Sequence, residues 1–78
     1  MSVTDYQLIE MLAEATNKDA LLSIDPGSPI KEQGVDSLDL LTFFFDIEST
    51  FNVKISTIEQ QKLTTINSIK EFLINKVL

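Results

Sequence analysis

The sequence has 78 residues, no cysteine and no histidine, and its 12 acidic residues outnumber its 6 lysines to give a net charge of −6. It therefore has no disulfide, thiolate nucleophile, zinc–thiolate site or imidazole base, which excludes most classes of enzyme. The charge argues against nucleic acid or an anionic membrane as a partner, and no stretch reaches the roughly 20 apolar residues of a membrane span. The N-terminal residues lack a signal-peptide pattern. We expect one soluble, cytoplasmic, monomeric domain over residues 1–78.

The first predicted helix covers residues 3–16 and ends at Asn17 and Lys18. Thr4 is a suitable N-cap, and an acidic residue follows it in the first turn. Its predicted core face has apolar residues at helical spacing, namely Leu8, Met11, Leu12 and Ala15, with Ile9 at the flank.

A long connection follows over residues 17–35. It contains a strong turn signal, Asp25-Pro26-Gly27-Ser28-Pro29, and a short helical turn is predicted within residues 29–33. Structureless loops of this length are unusual in a small domain. Its aliphatic residues, Leu21, Leu22, Ile24 and Ile30, indicate that it is pinned to the core.

The second predicted helix covers residues 37–51. Gly34 supplies an unusual backbone angle before it, Asp36 is its N-cap, and Asp39 adds a carboxylate to its first turn. Ser37 is then the first helical residue, with its hydroxyl exposed. One face forms a core stripe of Leu40, Phe43, Phe44, Ile47 and Phe51.

A second apolar flank of this helix, formed by Leu38, Leu41 and Phe45, lies about 100° from the core stripe. Two interpretations are open. Either the helix is buried deeply between other helices, or the flank is part of a docking surface beside Ser37.

Two further helices complete the pattern. Ile55 is expected in the core, Ser56 or Thr57 caps a short third helix over residues 57–63, and Glu59 or Gln60 takes the capping-box position. Thr64-Thr65 breaks the chain before a fourth helix over residues 66–77. With no strand alternation, the sequence predicts an all-α, small four-helix bundle with three longer helices, a short third helix and a long first loop.

The chemistry available to Ser37 is limited. A lone serine with acidic neighbours and no base is not an activated nucleophile, so another protein must act on it. A helix N-terminus does stabilise an attached phosphate. Glycine-rich phosphate loops, paired cysteines, the HExxH motif and the EF-hand pattern are absent from the sequence.

Acidic residues are concentrated around this serine. Five of them and no basic residue lie between Lys31 and Lys54, namely Glu32, Asp36, Asp39, Asp46 and Glu48. Such a surface steers a basic partner towards itself. The alternative is that these carboxylates only solvate a helix.

The string Gly-Val-Asp-Ser-Leu-Asp at residues 34–39 resembles the phosphopantetheine attachment motif of acyl carrier proteins. The likeness continues through Asp46-Ile47-Glu48-Ser49-Thr50-Phe51, through Val53-Lys54-Ile55-Ser56 and through Lys62-Leu63-Thr64-Thr65-Ile66. Ile24-Asp25-Pro26 is similar to the long first loop of that family. The resemblance therefore covers nearly the whole chain.

The resemblance implies a carrier and not an enzyme. Ser37 would carry 4′-phosphopantetheine, added by a phosphopantetheinyl transferase (holo-ACP synthase), with Asp36 and Leu38 beside it in the attachment site. The thiol of the arm would hold an acyl group as a thioester, part of it within the bundle core. Acyl-loading and acyl-transferring enzymes with basic docking patches would bind Asp39, Leu41, Phe45 and Glu48.

Some positions depart from the family pattern. Thr42, Ser49 and Thr50 stand where fatty-acid carriers often have glutamates, and the run Phe43-Phe44-Phe45 is bulkier than usual. This favours a specialised carrier of fatty-acid, polyketide or related lipid synthesis, in which the aromatic run reshapes the acyl cavity or only fills the core. Other readings are a peptidyl or aminoacyl carrier loaded by an adenylation enzyme, a helical adaptor without cofactor, and a regulatory domain phosphorylated at Ser37.

Overall fold

The computed structural model describes residues 3–77. Over that range the chain forms four α-helices, namely α1 Asp5–Thr16, α2 Ser37–Phe51, α3 Thr57–Lys62 and α4 Ile66–Val77. Two short 3₁₀ helices, Asp19–Ser23 and Ile30–Gln33, lie in the connection between α1 and α2. These described residues contain no β-strand, so the predicted all-α fold is confirmed. The predicted domain extent of 1–78 stays a prediction.

The caps of α1 are those predicted, but its first residue is not. Thr4 Oγ1 accepts a hydrogen bond from Gln7 N at 3.1 Å, and Asn17 ends the helix in the left-handed conformation with φ 56°. The predicted start at residue 3 was wrong, because the helix begins at Asp5. Val3 lies before the cap and is buried in the core instead.

The core face of α1 is rotated from the predicted one. The buried residues of α1 are Leu8, Ile9, Leu12 and Ala13. Met11 and Ala15, which were predicted in the core face, are only partly buried at its edge. The rotation follows from the position of α1, which packs against both α2 and α4 and so buries the side that faces the space between them.

One apolar cluster joins the elements. The predicted stripe of α2 is buried, and Ile66, Ile69 and Leu73 bury the inner face of α4. No polar or charged residue is buried among the described residues, so the side chains of this core contribute through apolar contact. No helix within that part of the chain is long and apolar enough to cross a membrane.

The long first connection is attached to the junction between α3 and α4. Ile30 N donates to Thr64 O at 2.8 Å, and Asn67 N donates to Pro26 O at 3.0 Å. Its apolar side chains add to the attachment, because Leu21, Ile24 and Ile30 are buried in the core. Leu22, which was predicted to help, is 48% exposed.

The predicted turn at residues 25–29 is stabilised by two side chains. The Asp25 carboxylate accepts from Gly27 N at 3.0 Å and from Ser28 Oγ at 2.7 Å. These hydrogen bonds, the first being the larger cause, lower the pKa of Asp25. Gln33 Oε1 accepts from Asp25 N at 2.9 Å, and Gln33 Nε2 donates to Asp25 O at 3.1 Å. The side chain of Gln33 therefore ties the end of the connection, just before Gly34, back to the start of the turn.

The start of α3 is the predicted capping box. Ser56 Oγ accepts from Glu59 N at 3.1 Å, and Glu59 Oε1 accepts from Ser56 N at 3.0 Å. The hydrogen bond from the Ser56 backbone is the largest cause of the lowered pKa of Glu59. The helix ends at Lys62, one residue before the predicted end, with Leu63 as its C-cap.

Thr65 and Ser68 form a similar reciprocal pair at the start of α4. Ser68 N donates to Thr65 Oγ1 at 3.0 Å, and Thr65 N donates to Ser68 Oγ at 3.1 Å. Both donors belong to the backbone groups that the first turn of a helix cannot pair within itself. The predicted break and cap at Thr64-Thr65 are therefore confirmed.

Gly34→Ala should lower the free energy of unfolding by about 1 kcal/mol, because an L-residue is strained in the left-handed region. The cost is conformational, since Gly34 has φ 93° and no atom lies within 4 Å of an added Cβ. Gly27→Ala is the matched control: there the Cβ would make ordinary contacts at 3.6 and 3.7 Å. Urea unfolding followed by circular dichroism measures both, and equal effects would contradict the account.

Glu59→Gln should flatten the acid dependence of stability. The pKa of Glu59 is lowered from 4.5 in the folded chain, so its carboxylate stabilises the fold above that value and loses this effect as pH falls through the folded pKa. Glutamine keeps an acceptor for Ser56 N but does not titrate. Thermal unfolding from about pH 6 to about pH 3 measures the difference. Glu10→Gln, at an exposed acid of α1, is the control, and equal flattening by both would contradict the assignment.

Candidate functional site

The start of α2 is built by three consecutive backbone features. Gly34 is left-handed with φ 93°, Val35 is buried at 3% exposure, and Asp36 has the extended conformation of an N-cap. Asp36 Oδ1 accepts from Asp39 N at 2.9 Å. Ser37 is therefore the first residue of α2 and is exposed, as the sequence predicts.

Lys18 reaches this helix start from the end of α1. Its Nζ donates to Gly34 O at 3.2 Å and lies 3.9 Å from Asp39 Oδ2. The ammonium group of Lys18, which lies 19 residues before Ser37 in the sequence, is therefore placed beside the acidic stretch. No local pattern in the sequence indicates this contact, because the sequence shows Lys18 only as a residue that follows a helix.

A groove of about 300 Å³ opens beside Ser37, between α2 and α3. One wall comes from α2 and the other from α3, and Lys31 also lines the groove. The lining residues are Ser37, Leu38, Leu40, Leu41 and Phe44 on α2 and Thr57, Gln60 and Gln61 on α3. A second groove, of about 420 Å³, continues past Lys31, Leu40, Gln60 and Gln61 towards Thr64.

The aromatic run of α2 divides between core and surface. Phe43 and Phe44 are 0% and 2% exposed, and their ring centroids lie 6.0 Å apart. Phe44 also lines the groove, so this core residue shapes the space beside Ser37. Phe45 points away from the core and is 59% exposed.

The second apolar flank of α2 is exposed. Leu38, Leu41 and Phe45 have exposures of 75%, 42% and 59%. The interpretation that α2 is buried deeply between other helices is therefore wrong. Ile58 on α3 is also exposed, at 66%, and no sequence signal marked it.

The acidic residues predicted to bind partners also make contacts within the chain. Asp39 lies beside Lys18 as described, and Glu48 Oε2 accepts from Ile55 N at 2.8 Å in a partly buried position. Asp46, on the same helix, is exposed. The predicted partner-binding set therefore contains two exposed apolar residues and two acids with structural contacts.

The arrangement suits attachment of a phosphate-linked arm. The hydroxyl of Ser37 is exposed at a helix N-terminus, where free amides and the helix dipole favour a phosphate. The adjacent groove offers apolar walls and side-chain amides to the rest of such an arm. Within the described chain, no cluster of three or more acidic residues is placed to hold a metal ion.

Comparison with known proteins agrees with this geometry. The sequence model of the family described as "Phosphopantetheine attachment site" matches residues 7–73. The chain is 31% identical over 69 residues to an acyl carrier protein of Syntrophus aciditrophicus, which covers 88% of this chain and 86% of the relative. It is 30% identical over 76 residues to an acyl carrier protein of Rickettsia canadensis, which covers 94% of this chain and 88% of the relative.

A family match over most of the chain and two relatives of nearly full coverage all point to one family. Proteins of this family carry a group on a cofactor and do not catalyse reactions themselves. The chain belongs to the acyl carrier protein family, and its cofactor is phosphopantetheine.

Proposed function

We propose that Ser37 is the attachment residue and that the chain carries acyl intermediates as thioesters on a 4′-phosphopantetheine arm. The observation that carries the proposal is that Ser37, an exposed residue at the first position of α2, lies at the mouth of the groove. Asp36 and Leu38 flank it, one as the cap of the helix and the other as an apolar side chain 75% exposed.

A phosphopantetheinyl transferase must supply the attachment chemistry. The serine oxygen bonds to the phosphorus of the phosphopantetheine part of coenzyme A, and adenosine 3′,5′-bisphosphate leaves. The hydroxyl proton goes to a base of the transferase. The product phosphodiester has one negative charge, so it is repelled by Asp36 and Asp39 less than a phosphoserine would be.

The arm supplies the thiol that the chain lacks. Its acyl thioester is then presented to enzymes of fatty-acid, polyketide or related lipid synthesis. The departures from fatty-acid carriers along α2, namely Thr42, Ser49 and Thr50, support a specialised carrier with its own synthase or ligase. We also assign it a cytoplasmic, monomeric state, which suits a small shuttle that visits several enzymes in turn.

Partner enzymes dock, in this proposal, on the exposed face of α2 that carries Asp39, Leu41, Phe45 and Glu48. Exposed apolar side chains near an acidic rim favour a partner with an apolar pocket and basic surroundings. Leu41 and Phe45 supply the apolar part at 42% and 59% exposure. Asp46, also exposed on α2, adds to the negative charge of this helix.

Incubation with coenzyme A and a broad-specificity phosphopantetheinyl transferase should add one phosphopantetheine to the chain, and Ser37→Ala should abolish the gain. Intact mass spectrometry measures it. Ser49→Ala, at another exposed serine of α2, is the matched control and should be modified normally. Absence of modification in the correctly folded wild-type protein would refute the proposal, and modification of Ser37→Ala would refute the assignment of the residue.

Phe45→Ala should lower kcat/KM of the transferase for this carrier by about tenfold, as truncation of an aromatic anchor at an interface typically does. Its free energy of unfolding should hardly change, because the side chain is 59% exposed. Tyr6→Ala, at a residue of α1 that is 65% exposed, should alter neither quantity. Steady-state loading rates and urea unfolding test both variants, and unchanged loading of Phe45→Ala would exclude this residue from the docking surface.

A further inference from the structure

The short helix α3 forms one wall of the groove but buries no side chain of its own. The residues that flank α3 are buried in the core instead: Ile55 before the helix and Leu63 after it, at 4% and 8% exposure. A helix of six residues without a buried face has little intrinsic stability. Its position therefore depends on contacts of the chain on either side of it, and the segment that leads into it carries the larger share of side-chain hydrogen bonds.

Glu48 holds that segment through three backbone donors. Its carbonyl oxygen accepts from Asn52 N, which is the C-cap of α2, and from Val53 N at 3.2 Å. Its side-chain Oε2 accepts from Ile55 N at 2.8 Å. Gln60 Nε2 donates to Ile55 O at 3.2 Å, so both backbone polar groups of Ile55 are bound by side chains.

We propose that Glu48 is a positioning residue: its carboxylate fixes Ile55, and thereby α3, against α2, and so sets the wall of the groove beside Ser37. This role rests on the proposed function, in which Ser37, at the mouth of that groove, carries the arm. Glu48 itself does not line the groove, so it acts through Ile55 and Gln60. Its primary contribution is then an acceptor atom and not a negative charge offered to a partner.

The two roles are separable by substitution. Glu48→Gln removes the charge but keeps an oxygen acceptor for Ile55 N, whereas Glu48→Ala removes both. Asp46 supplies the matched control pair, because it is an exposed acid two residues away on the same helix. Asp46→Asn and Asp46→Ala change charge and size without touching the segment before α3.

The first measurement is amide hydrogen exchange of the unmodified chain. Glu48→Ala should raise the exchange rate of Ile55 N–H and of the α3 amides by about tenfold, as expected for loss of one hydrogen bond. Glu48→Gln and both Asp46 variants should match the wild type. Amides of α4 such as Leu73, which is 0% exposed, should keep their rates in every variant.

The second measurement concerns the groove in the loaded carrier. Hexanoyl-phosphopantetheine is attached from hexanoyl-coenzyme A by the transferase, and hydrolysis of the thioester is followed by intact mass. Glu48→Ala should hydrolyse faster than the wild type, with Glu48→Gln at the wild-type rate. Wild-type behaviour of Glu48→Ala in both measurements would overturn the proposal.

Other outcomes also decide against it. If Glu48→Gln behaves like Glu48→Ala, the charge is what matters and the positioning role is wrong. If exchange rises equally in α3 and α4, Glu48 contributes only to global stability. Hydrogen exchange needs no cofactor, so a wild-type chain that fails to accept phosphopantetheine would refute the proposed function and leave the exchange result to decide the positioning role of Glu48 for α3.

Discussion

The hydrogen bond from Asp39 N to Asp36 Oδ1, at 2.9 Å, determines where α2 begins, and the rest of the site depends on that point. A helix that started one residue later would rotate every following side chain by about 100° relative to the cap. Because Asp36 is the cap, Ser37 is exposed while Leu40, Phe44 and Ile47 meet the core. The same register leaves Leu41 and Phe45 outside. One cap therefore positions the proposed attachment residue, the core stripe and the exposed flank together.

Most of the acidic residues in the middle of the chain make contacts within the molecule. Of the five acids between Lys31 and Lys54, Asp36 caps α2, Asp39 lies beside Lys18, and Glu48 binds Ile55 N. A carboxylate that accepts a backbone hydrogen bond still contributes its charge to the surface field, but its position is fixed by the fold. Net charge alone therefore overstates how much of this acidity was placed for a partner.

Sequence reasoning located the features that depend on neighbouring residues. The cap at Asp36, the capping box at Ser56 and the stripe of α2 follow from spacings of three or four residues, and all are confirmed. The contacts that it missed join distant parts of the chain: Lys18 with Gly34, and Glu48 with Ile55 across the loop after α2. The predicted core face of α1 was wrong for the same reason, because which side of α1 is buried depends on where α2 and α4 lie.

The two walls of the groove are held by different interactions: α2 by burial of apolar side chains, and α3 by hydrogen bonds and an ion pair. α2 buries five side chains in the core, so moving it would expose a large apolar area. α3 buries none and is held by its capping box, by the hydrogen bonds to Ile55, and by an ion pair of 4.0 Å between Glu59 and Lys76. Such hydrogen bonds are each worth about 1 kcal/mol, so α3 opens at far lower cost than α2. The groove beside Ser37 therefore has one rigid wall and one adjustable wall, and the adjustable wall is held in part by contacts of Glu48 and Lys76, which lie outside the groove.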